Sequence, residues 1–145
     1  MISNTCKYGI RALVYVAFHT KNGGKIGIKK IAEDLEIPTP FLGKILQMLS
    51  KVGYLKSFKG PHGGFEMGKD AHQITLFEIV VLIDGDELFT KCIAGIKKCE
   101  HTDKPVCSIH EDFVVLREQI KQLMTTKTIG HLADGFNNPG LNIGF

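Results

Sequence analysis

Apolar residues recur at helical spacing near the start of the chain and predict its first helix. The pattern begins after Ser3, which suits an N-cap, and ends at Asn22, which two glycines follow. It therefore predicts a helix over about residues 4–21. The apolar face of this helix is formed by Ile10, Leu13, Val14, Ala17 and Phe18.

Two further helices are predicted in series, with a short turn at residues 36–38 between them. The first covers about residues 28–35. The second has Thr39 as its N-cap and Pro40 at its first position, and Gly53 follows its last turn. Its predicted apolar face consists of Phe41, Ile45, Met48, Leu49 and Val52. This order is typical of a helix-turn-helix, in which the second helix reads DNA.

Residues 54–70, YLKSFKGPHGGFEMGKD, have the alternation of two strands joined by a turn over 59–64. The first strand contains Leu55 and Phe58, and the second contains Phe65 and Met67. A β-hairpin directly after a helix-turn-helix indicates a winged helix. Its tip carries Lys59 and His62 among glycines, so the backbone can approach a phosphate closely. The turn does not open a helix, which excludes a nucleotide phosphate-binding loop.

The second half of the chain is predicted to be helical on both sides of a cysteine-rich loop. Thr75 and Glu78 form a capping box for a short apolar helix that ends near Asp84. A long helix from about Cys107 carries an apolar seam formed by Ile109, Phe113, Leu116, Ile120 and Leu123. Such a seam fits helix pairing, most simply between two copies of the chain. The alternative is that it packs on the chain's own first domain.

These elements predict a mainly α fold with a small β-hairpin wing, and five regions along the chain. They are a winged helix-turn-helix DNA-binding domain at 1–70, a connecting helix at 71–89, a cysteine-rich loop at 90–110, a dimerisation helix with a short following helix at 108–132, and a flexible tail at 133–145.

Composition and charge place the chain among globular proteins with a polyanionic partner. Of its 145 residues 43% are hydrophobic and 23% charged, and no apolar run approaches the roughly 18 residues of a membrane span. With no signal-peptide pattern, we expect a cytoplasmic protein without a membrane partner. Residues 1–70 hold eleven Lys and Arg against five Asp and Glu, whereas residues 71–145 hold seven against ten. A basic first half favours double-stranded DNA as the partner, although uneven surface charge is the alternative.

The segment CIAGIKKCEHTDKPVCSIH, residues 92–110, contains three of the four cysteines. In a reducing compartment clustered cysteines are more often metal ligands or redox sensors than disulfides. Thiolates are soft ligands that suit iron–sulfur clusters. No CxxC pair occurs, which weakens both a structural zinc site and a thioredoxin-like enzyme. Sensing of oxidants by free thiols stays open. Cys6 is isolated and is expected to pack near the core.

Four segments together resemble the Rrf2 family of bacterial winged-helix regulators. They are YGIRALVYVA at 8–17, IAEDLEIPTPFLGKILQMLSKVGYL at 31–55, KGPHGGFEMGKD at 59–70 and ITLFEIVVLIDG at 74–85. The resemblance covers about residues 1–132 and implies a homodimeric, non-enzymatic regulator without a small-molecule substrate. It also implies that the long helices pair the subunits and that the winged helices dock in successive major grooves of a near-palindromic operator. Some members carry an iron–sulfur cluster and others do not.

The resemblance also suggests a ligand set. Cys107 and His110 have the Cys-x-x-His spacing of the cluster-binding members, in which the histidine completes a [2Fe–2S] site, and on a helix the two side chains share a face. Other members use an aspartate before the Tyr-Gly of the first helix, where this chain has Lys7. We therefore predict Cys92, Cys99, Cys107 and His110 as ligands of an iron–sulfur cluster, with [2Fe–2S] favoured and [4Fe–4S] as the alternative. His101 is the alternative fourth ligand, and His110 as a solvated residue is the other alternative.

The predicted DNA contacts come from the two helices of the helix-turn-helix and from the wing. They are Lys29, Lys30, Thr39, Phe41, Lys44, Gln47, Lys56, Lys59 and His62. Lys44 suits phosphate or guanine and Gln47 suits adenine, whereas Phe41 could instead belong to the core. The remaining alternatives are a thiol redox enzyme and a zinc-stabilised winged helix that binds proteins.

Overall fold

The computed structural model describes residues 1–92 and 108–136. Within them the elements are α1 (Asn4–Thr20), α2 (Ile28–Leu35), α3 (Thr39–Lys51), β1 (Leu55–Phe58), β2 (Gly64–Met67), a 3₁₀ turn (Ala71–Gln73), α4 (Leu76–Asp84), α5 (Glu87–Thr90), α6 (His110–Thr126) and α7 (Ile129–Gly135). This order confirms a mainly helical fold with one β-hairpin.

Helix α1 is the centre of the hydrophobic core and packs against α2, α3, α4, α7 and the hairpin. Ser3 is its N-cap, since the Ser3 hydroxyl accepts a hydrogen bond from the Cys6 amide at 3.0 Å. The amide and hydroxyl of Ser3 both donate to the carboxylate of Asp84 at the end of α4. The start of α1 is thereby joined to the end of α4.

The turn between α2 and α3 is held by main-chain hydrogen bonds and by one arginine. Glu36 adopts the left-handed conformation with φ 54° and ψ 42°, and the Ile37 amide donates to the Ala32 carbonyl at 3.0 Å. Arg11 of α1 donates from Nη2 to the Leu35 carbonyl at 3.0 Å. The first helix of the domain is thereby joined to the end of α2, where the turn begins.

Helix α3 differs from its prediction in two respects. It begins at Thr39, so Pro38 occupies the N-cap position and no side chain caps the helix. Its buried face consists of Leu42, Ile45, Leu46 and Leu49. The prediction was wrong for Phe41 and Val52, which are 41% and 46% exposed. The face that packs on the core follows the i, i+3, i+4, i+7 series from Leu42, and Phe41 lies outside that series. Its ring instead meets the edge of Tyr8, with the centroids 5.9 Å apart.

The wing is an antiparallel hairpin in which Leu55 pairs with Met67 and Phe58 with Gly64. Ile26, in the loop after α1, adds a short bridge to Phe65, with main-chain N–O distances of 3.0 and 2.9 Å. A side chain at Gly64 would place its Cβ 2.7 Å from the Ile26 carbonyl oxygen. Glycine at this position lets the loop after α1 lie against the wing.

The C-terminal elements return to the first domain. Thr75 and Glu78 form the predicted capping box of α4, and the region predicted as one connecting helix contains α4 and the short α5. Main-chain hydrogen bonds of 2.9 Å join Leu76 to Lys127 and Ile129 to Ile74, so that α7 packs on α1. Residues 133–135, predicted to belong to a flexible tail, form the end of α7, and Ala133 is buried. The rest of that predicted tail, from residue 137 on, lies outside the described residues.

The apolar seam of α6 divides between two environments. Phe113 and Ile120 are half-buried, and Ile120 packs against the chain's own core. Ile109, Leu116 and Leu123 are 46%, 50% and 55% exposed. The alternative that the seam packs on the chain's own first domain is thus confirmed for Ile120. The three exposed residues form an apolar stripe that another protein surface could cover. In the described ranges, 1–92 and 108–136, no helix combines the length and apolar character needed to span a bilayer.

Candidate DNA interface and sensor segment

The exposed side of α3 carries the side chains predicted to read DNA. Thr39, Phe41, Lys44 and Gln47 are all exposed. Lys44 and Gln47 are three residues apart and therefore lie on neighbouring positions of one helix face. The core residues Ile45 and Leu49 hold the opposite face. The side of α3 that points away from the protein thus combines a cation with an amide, which can contact phosphates and base edges.

Further exposed basic side chains lie on α2 and on the wing. Lys29 of α2, Lys56 of β1, and Lys59 and His62 of the turn are exposed. Lys30 is also exposed, but its Nζ lies 2.7 Å from Oδ1 of Asp34. Hydrogen bonding to this carboxylate, followed by its charge, raises the pKa of Lys30.

Asp34 is held by more than one partner. It also accepts a hydrogen bond from the Tyr15 hydroxyl, and the bond from Lys30, followed by that from Tyr15, lowers its pKa. Because Lys30 would have to leave this pair to reach a phosphate, Lys29 is the stronger candidate on α2.

Lys25 is a basic residue near the wing that the sequence did not indicate. Its Nζ lies 3.9 Å from the centroid of the Phe58 ring, a cation–π contact at the end of β1. The bridge between Ile26 and Phe65 brings the loop after α1 to this place. Nothing in the sequence around Lys25 distinguishes it from an ordinary loop lysine, because the bridge joins residues 39 positions apart.

Two of the four predicted cluster ligands belong to the described part of the chain. Cys92 follows α5, is partly exposed and forms no disulfide. His110 is the first residue of α6 and is also partly exposed. Helices α5 and α6 pack together, so both ends of the cysteine-rich segment are supported by folded elements. Cys99 and Cys107, and the alternative ligand His101, lie outside the described residues.

Cys6 has a different environment from Cys92. It belongs to the buried face of α1 and is 0% exposed. Burial, followed by the negative charge of Asp84, raises the pKa of the Cys6 thiol to about 12. A metal ligand or a nucleophile must be a thiolate, which Cys6 does not form near neutral pH. The expectation that Cys6 packs near the core is confirmed.

The described residues contain no group of three or more His, Cys, Asp or Glu side chains placed to hold a metal ion. Of the four predicted cluster ligands, only Cys92 and His110 belong to the described residues, which is fewer than the three side chains that such a group requires. These two residues fit the role by chemistry, since one is an accessible soft thiol and the other an accessible imidazole.

The chain matches the Rrf2 family, described as iron-dependent transcriptional regulators, over residues 2–135. It belongs to the Rrf2 family. Members of this family are DNA-binding transcription regulators and not enzymes, and the exposed basic helix and wing of this chain agree with that assignment.

Relatives of this Rrf2 protein are themselves transcription regulators. The chain is 34% identical to a candidate HTH-type transcriptional regulator of Aquifex aeolicus (strain VF5), over 91% of this chain and 90% of that protein. It is 29% identical to the HTH-type transcriptional regulator IscR of Cronobacter sakazakii (strain ATCC BAA-894), over 88% of this chain and 76% of the relative.

Solved structures show the same fold. CymR, the global cysteine regulator of B. subtilis, superimposes with a TM-score of 0.75 at 23% identity, covering 92% of this chain and 96% of CymR. IscR of T. potens gives a TM-score of 0.73 at 19% identity, covering 99% and 93% of the two chains. These likenesses establish the winged-helix architecture of an Rrf2 regulator.

Proposed function

We propose that this Rrf2-family regulator binds double-stranded operator DNA as a homodimer and that an iron–sulfur cluster in the 92–110 segment modulates its DNA affinity. The observation that carries the cluster proposal is the placement of Cys92 and His110. Both are partly exposed, and they lie where α5 ends and where α6 begins, on two helices that pack together. The ends of the segment are thus supported by the long helix that also carries the exposed apolar stripe.

The DNA-binding part of the proposal is supported by the exposure of all nine predicted contacts. Lys44 and Gln47 would face the major groove, and Lys56, Lys59 and His62 would contact the backbone from the wing. Lys29 would add a phosphate contact from α2. The short Pro38 turn and the buried face of α3 keep the reading helix in a fixed orientation.

The homodimer is supported by the exposed part of α6. Ile109, Leu116 and Leu123 are seven residues apart, so they form one stripe along the helix. Contiguous apolar surface of this kind is uncommon on a monomer and marks an interaction site. A second copy of α6 offers the matching surface.

The proposed ligands are Cys92, Cys99, Cys107 and His110. When bound, a [2Fe–2S] cluster would supply a one-electron redox centre, and histidine in place of a cysteine raises its reduction potential. Within the chain, Cys92 and His110 would hold the centre against α5 and α6. Occupancy of the site would then bias the position of α6 and, through the dimer, the spacing of the two winged helices.

The decisive experiment is anaerobic purification, followed by iron and labile-sulfide analysis and by absorbance and EPR spectra. We expect iron and sulfide with a visible charge-transfer spectrum, and an altered spectrum or potential in His110→Ala. His101→Ala is the matched control and should leave the spectrum unchanged. A colourless protein without iron or sulfide would rule out the cluster, and the reverse pattern of the two variants would transfer the fourth ligand to His101.

A cluster-free thiol sensor is the second candidate. It is favoured by the partly exposed, disulfide-free Cys92, which could react with an oxidant as it stands. The anaerobically purified protein distinguishes a thiol sensor from a cluster-binding regulator. A thiol sensor would bind DNA without metal and would lose affinity for DNA on oxidation. Zinc in place of iron would instead indicate a zinc-stabilised winged helix.

A further inference from the structure

A cavity of about 450 Å³ lies between the N-terminus and the helices α4, α5 and α6. Its walls are mostly apolar and include Ile2, Val80, Leu88, Phe113 and Ile120. Small-molecule sites in proteins typically measure about 300–1,000 Å³ and combine apolar walls with a few polar groups. The cavity is therefore of a size and character that suits a small ligand.

Arg117 is the polar group that distinguishes this cavity. It lies on the lining, yet its side chain is only 7% exposed. Nη1 donates to the Lys91 carbonyl at 3.3 Å, and Nε is buried without a hydrogen-bond partner. The guanidinium also lies 6.0 Å from the centroid of the Phe113 ring. A buried cation and a buried donor without a partner are both costly, so the site favours an anion.

The carboxylates at the cavity are already engaged by other groups. Asp84 accepts hydrogen bonds from the amide and the hydroxyl of Ser3. Glu87 forms an ion pair with Lys91, one turn along. Within residues 1–92 and 108–136, no carboxylate forms an ion pair with Arg117. Asp84 and Glu87 line the same cavity, but neither pairs with the guanidinium of Arg117.

We propose that this cavity binds a small organic monocarboxylate with a short apolar chain, whose carboxylate pairs with the guanidinium of Arg117. Arginine forms strong, often bidentate hydrogen bonds with carboxylates. The apolar chain would lie against Val80, Leu88 and Ile120. Inorganic phosphate fits less well, because its remaining oxygens would face these apolar walls without hydrogen-bond donors.

One proposed cluster ligand, Cys92, also lines this cavity, whereas His110 is not part of its lining. Arg117 is seven residues after His110 on α6, which is about 10 Å along the helix axis. Its side-chain hydrogen bond to Lys91 reaches the residue before Cys92. A bound carboxylate would compete for the guanidinium and thereby loosen or re-orient the start of the cysteine-rich segment. This effector role does not require a cluster.

The test uses the purified full-length chain and follows the arginine Nε–Hε resonances by NMR during titration with acetate, butyrate, valerate or inorganic phosphate. We expect a saturable shift with butyrate and valerate. Because Arg117→Gln lacks this resonance, its affinity is measured by isothermal titration calorimetry alongside the wild type. It should bind at least about 10-fold more weakly, since a hydrogen-bonded charge is lost. Lys121→Gln removes the same charge from the same helix outside the cavity and should leave affinity unchanged.

A second variant keeps Arg117 and narrows the cavity. Leu88→Phe should weaken the binding of valerate more than the binding of acetate. Thermal unfolding curves check that each variant is folded. Equal affinity in wild type and Arg117→Gln would overturn the proposal. So would a shift with phosphate but not with carboxylates, or an Arg117 signal that moves only on cluster assembly. The absence of iron alone would count against the proposed function and not against this site.

Discussion

Arg117 of α6 donates a hydrogen bond to the main-chain carbonyl of Lys91, with Nη1 3.3 Å from the oxygen. Lys91 immediately precedes Cys92, and His110 lies two helical turns before Arg117. The long helix is thus joined to both ends of the cysteine-rich segment, once through the chain and once through this side chain. Under the proposed function, this bond is the route by which the segment would influence the dimer surface.

The protected thiol of Cys6 makes stability dependent on alkaline pH. Its pKa is about 12 in the folded protein against 9.0 for an unperturbed cysteine, so the unfolded chain loses this proton first as the pH rises. The stabilisation is fully present below pH 9 and is lost towards pH 12, by up to about 1.4 kcal/mol per pH unit. Urea unfolding of wild type and Cys6→Ala under reducing conditions should show a shallower pH dependence in the variant. Parallel curves would contradict the assignment.

Removal of two wing charges should weaken DNA binding without regard to sequence. Lys56→Gln with Lys59→Gln should reduce affinity for operator and random DNA alike. If each lysine contacts one phosphate, the slope of log affinity against log salt concentration should fall by about 0.9 per contact, or about 3.6 for the four lysines of the proposed homodimer. Fluorescence anisotropy at several salt concentrations measures both. The control, Lys121→Gln with Lys127→Gln, removes the same charge from α6 and its C-cap residue instead of the wing. An equal loss there would show that the effect comes from net charge alone.

The exposed stripe of α6 should control assembly. Leu116→Lys with Leu123→Lys should give a monomer in sedimentation analysis, because two like charges would be buried in the proposed dimer interface. Folding should be retained, since both side chains are at least half exposed. Glu118→Lys, which changes the charge by the same two units on the opposite side of the helix, is the matched control. A double variant that still sediments as a dimer would place the interface elsewhere.

Replacing Glu36, which has a left-handed backbone conformation, with glycine should increase the stability of the folded protein. With φ 54°, a side chain is disfavoured there, and Glu36→Gly should stabilise the protein by about 0.5–1 kcal/mol in urea unfolding. Glu36→Ala removes the same charge but keeps a Cβ, and so should give no comparable gain. If the alanine variant is stabilised equally, charge and not backbone conformation is responsible.

Local signals in the sequence predicted most of the fold. The capping box of Thr75 and Glu78, the glycine after α3 and the alternation of the hairpin each depend on neighbours within a few residues. The face of α3 was predicted less well, because Phe41 is large and apolar but is held by the edge of Tyr8 outside the core series. Which apolar residues face the core is decided by packing and not by residue type.

Some candidate functional residues could likewise be predicted from local sequence, whereas others depend on contacts that only the fold creates. The exposure of Lys44 and Gln47 could be foreseen from helical spacing. The roles of Lys25, Lys30 and Arg117 could not, since each depends on a partner brought near by the fold. Phe58 lies beside Lys25, and Asp34 and Tyr15 hold Lys30. Arg117, predicted only as part of the long helix, is buried against Lys91.

The main-chain bonds of Leu76 to Lys127 and of Ile129 to Ile74 give α6 a pivot. They fix its C-terminal end, whereas Arg117 joins the middle of the helix to Lys91 after α5 through a side-chain hydrogen bond. A tilt that keeps the main-chain bonds grows along a rod about 25 Å long. Such a tilt would move Ile109 further than Leu123. In the proposed dimer, the two copies of α6 would therefore separate first at the end that carries His110.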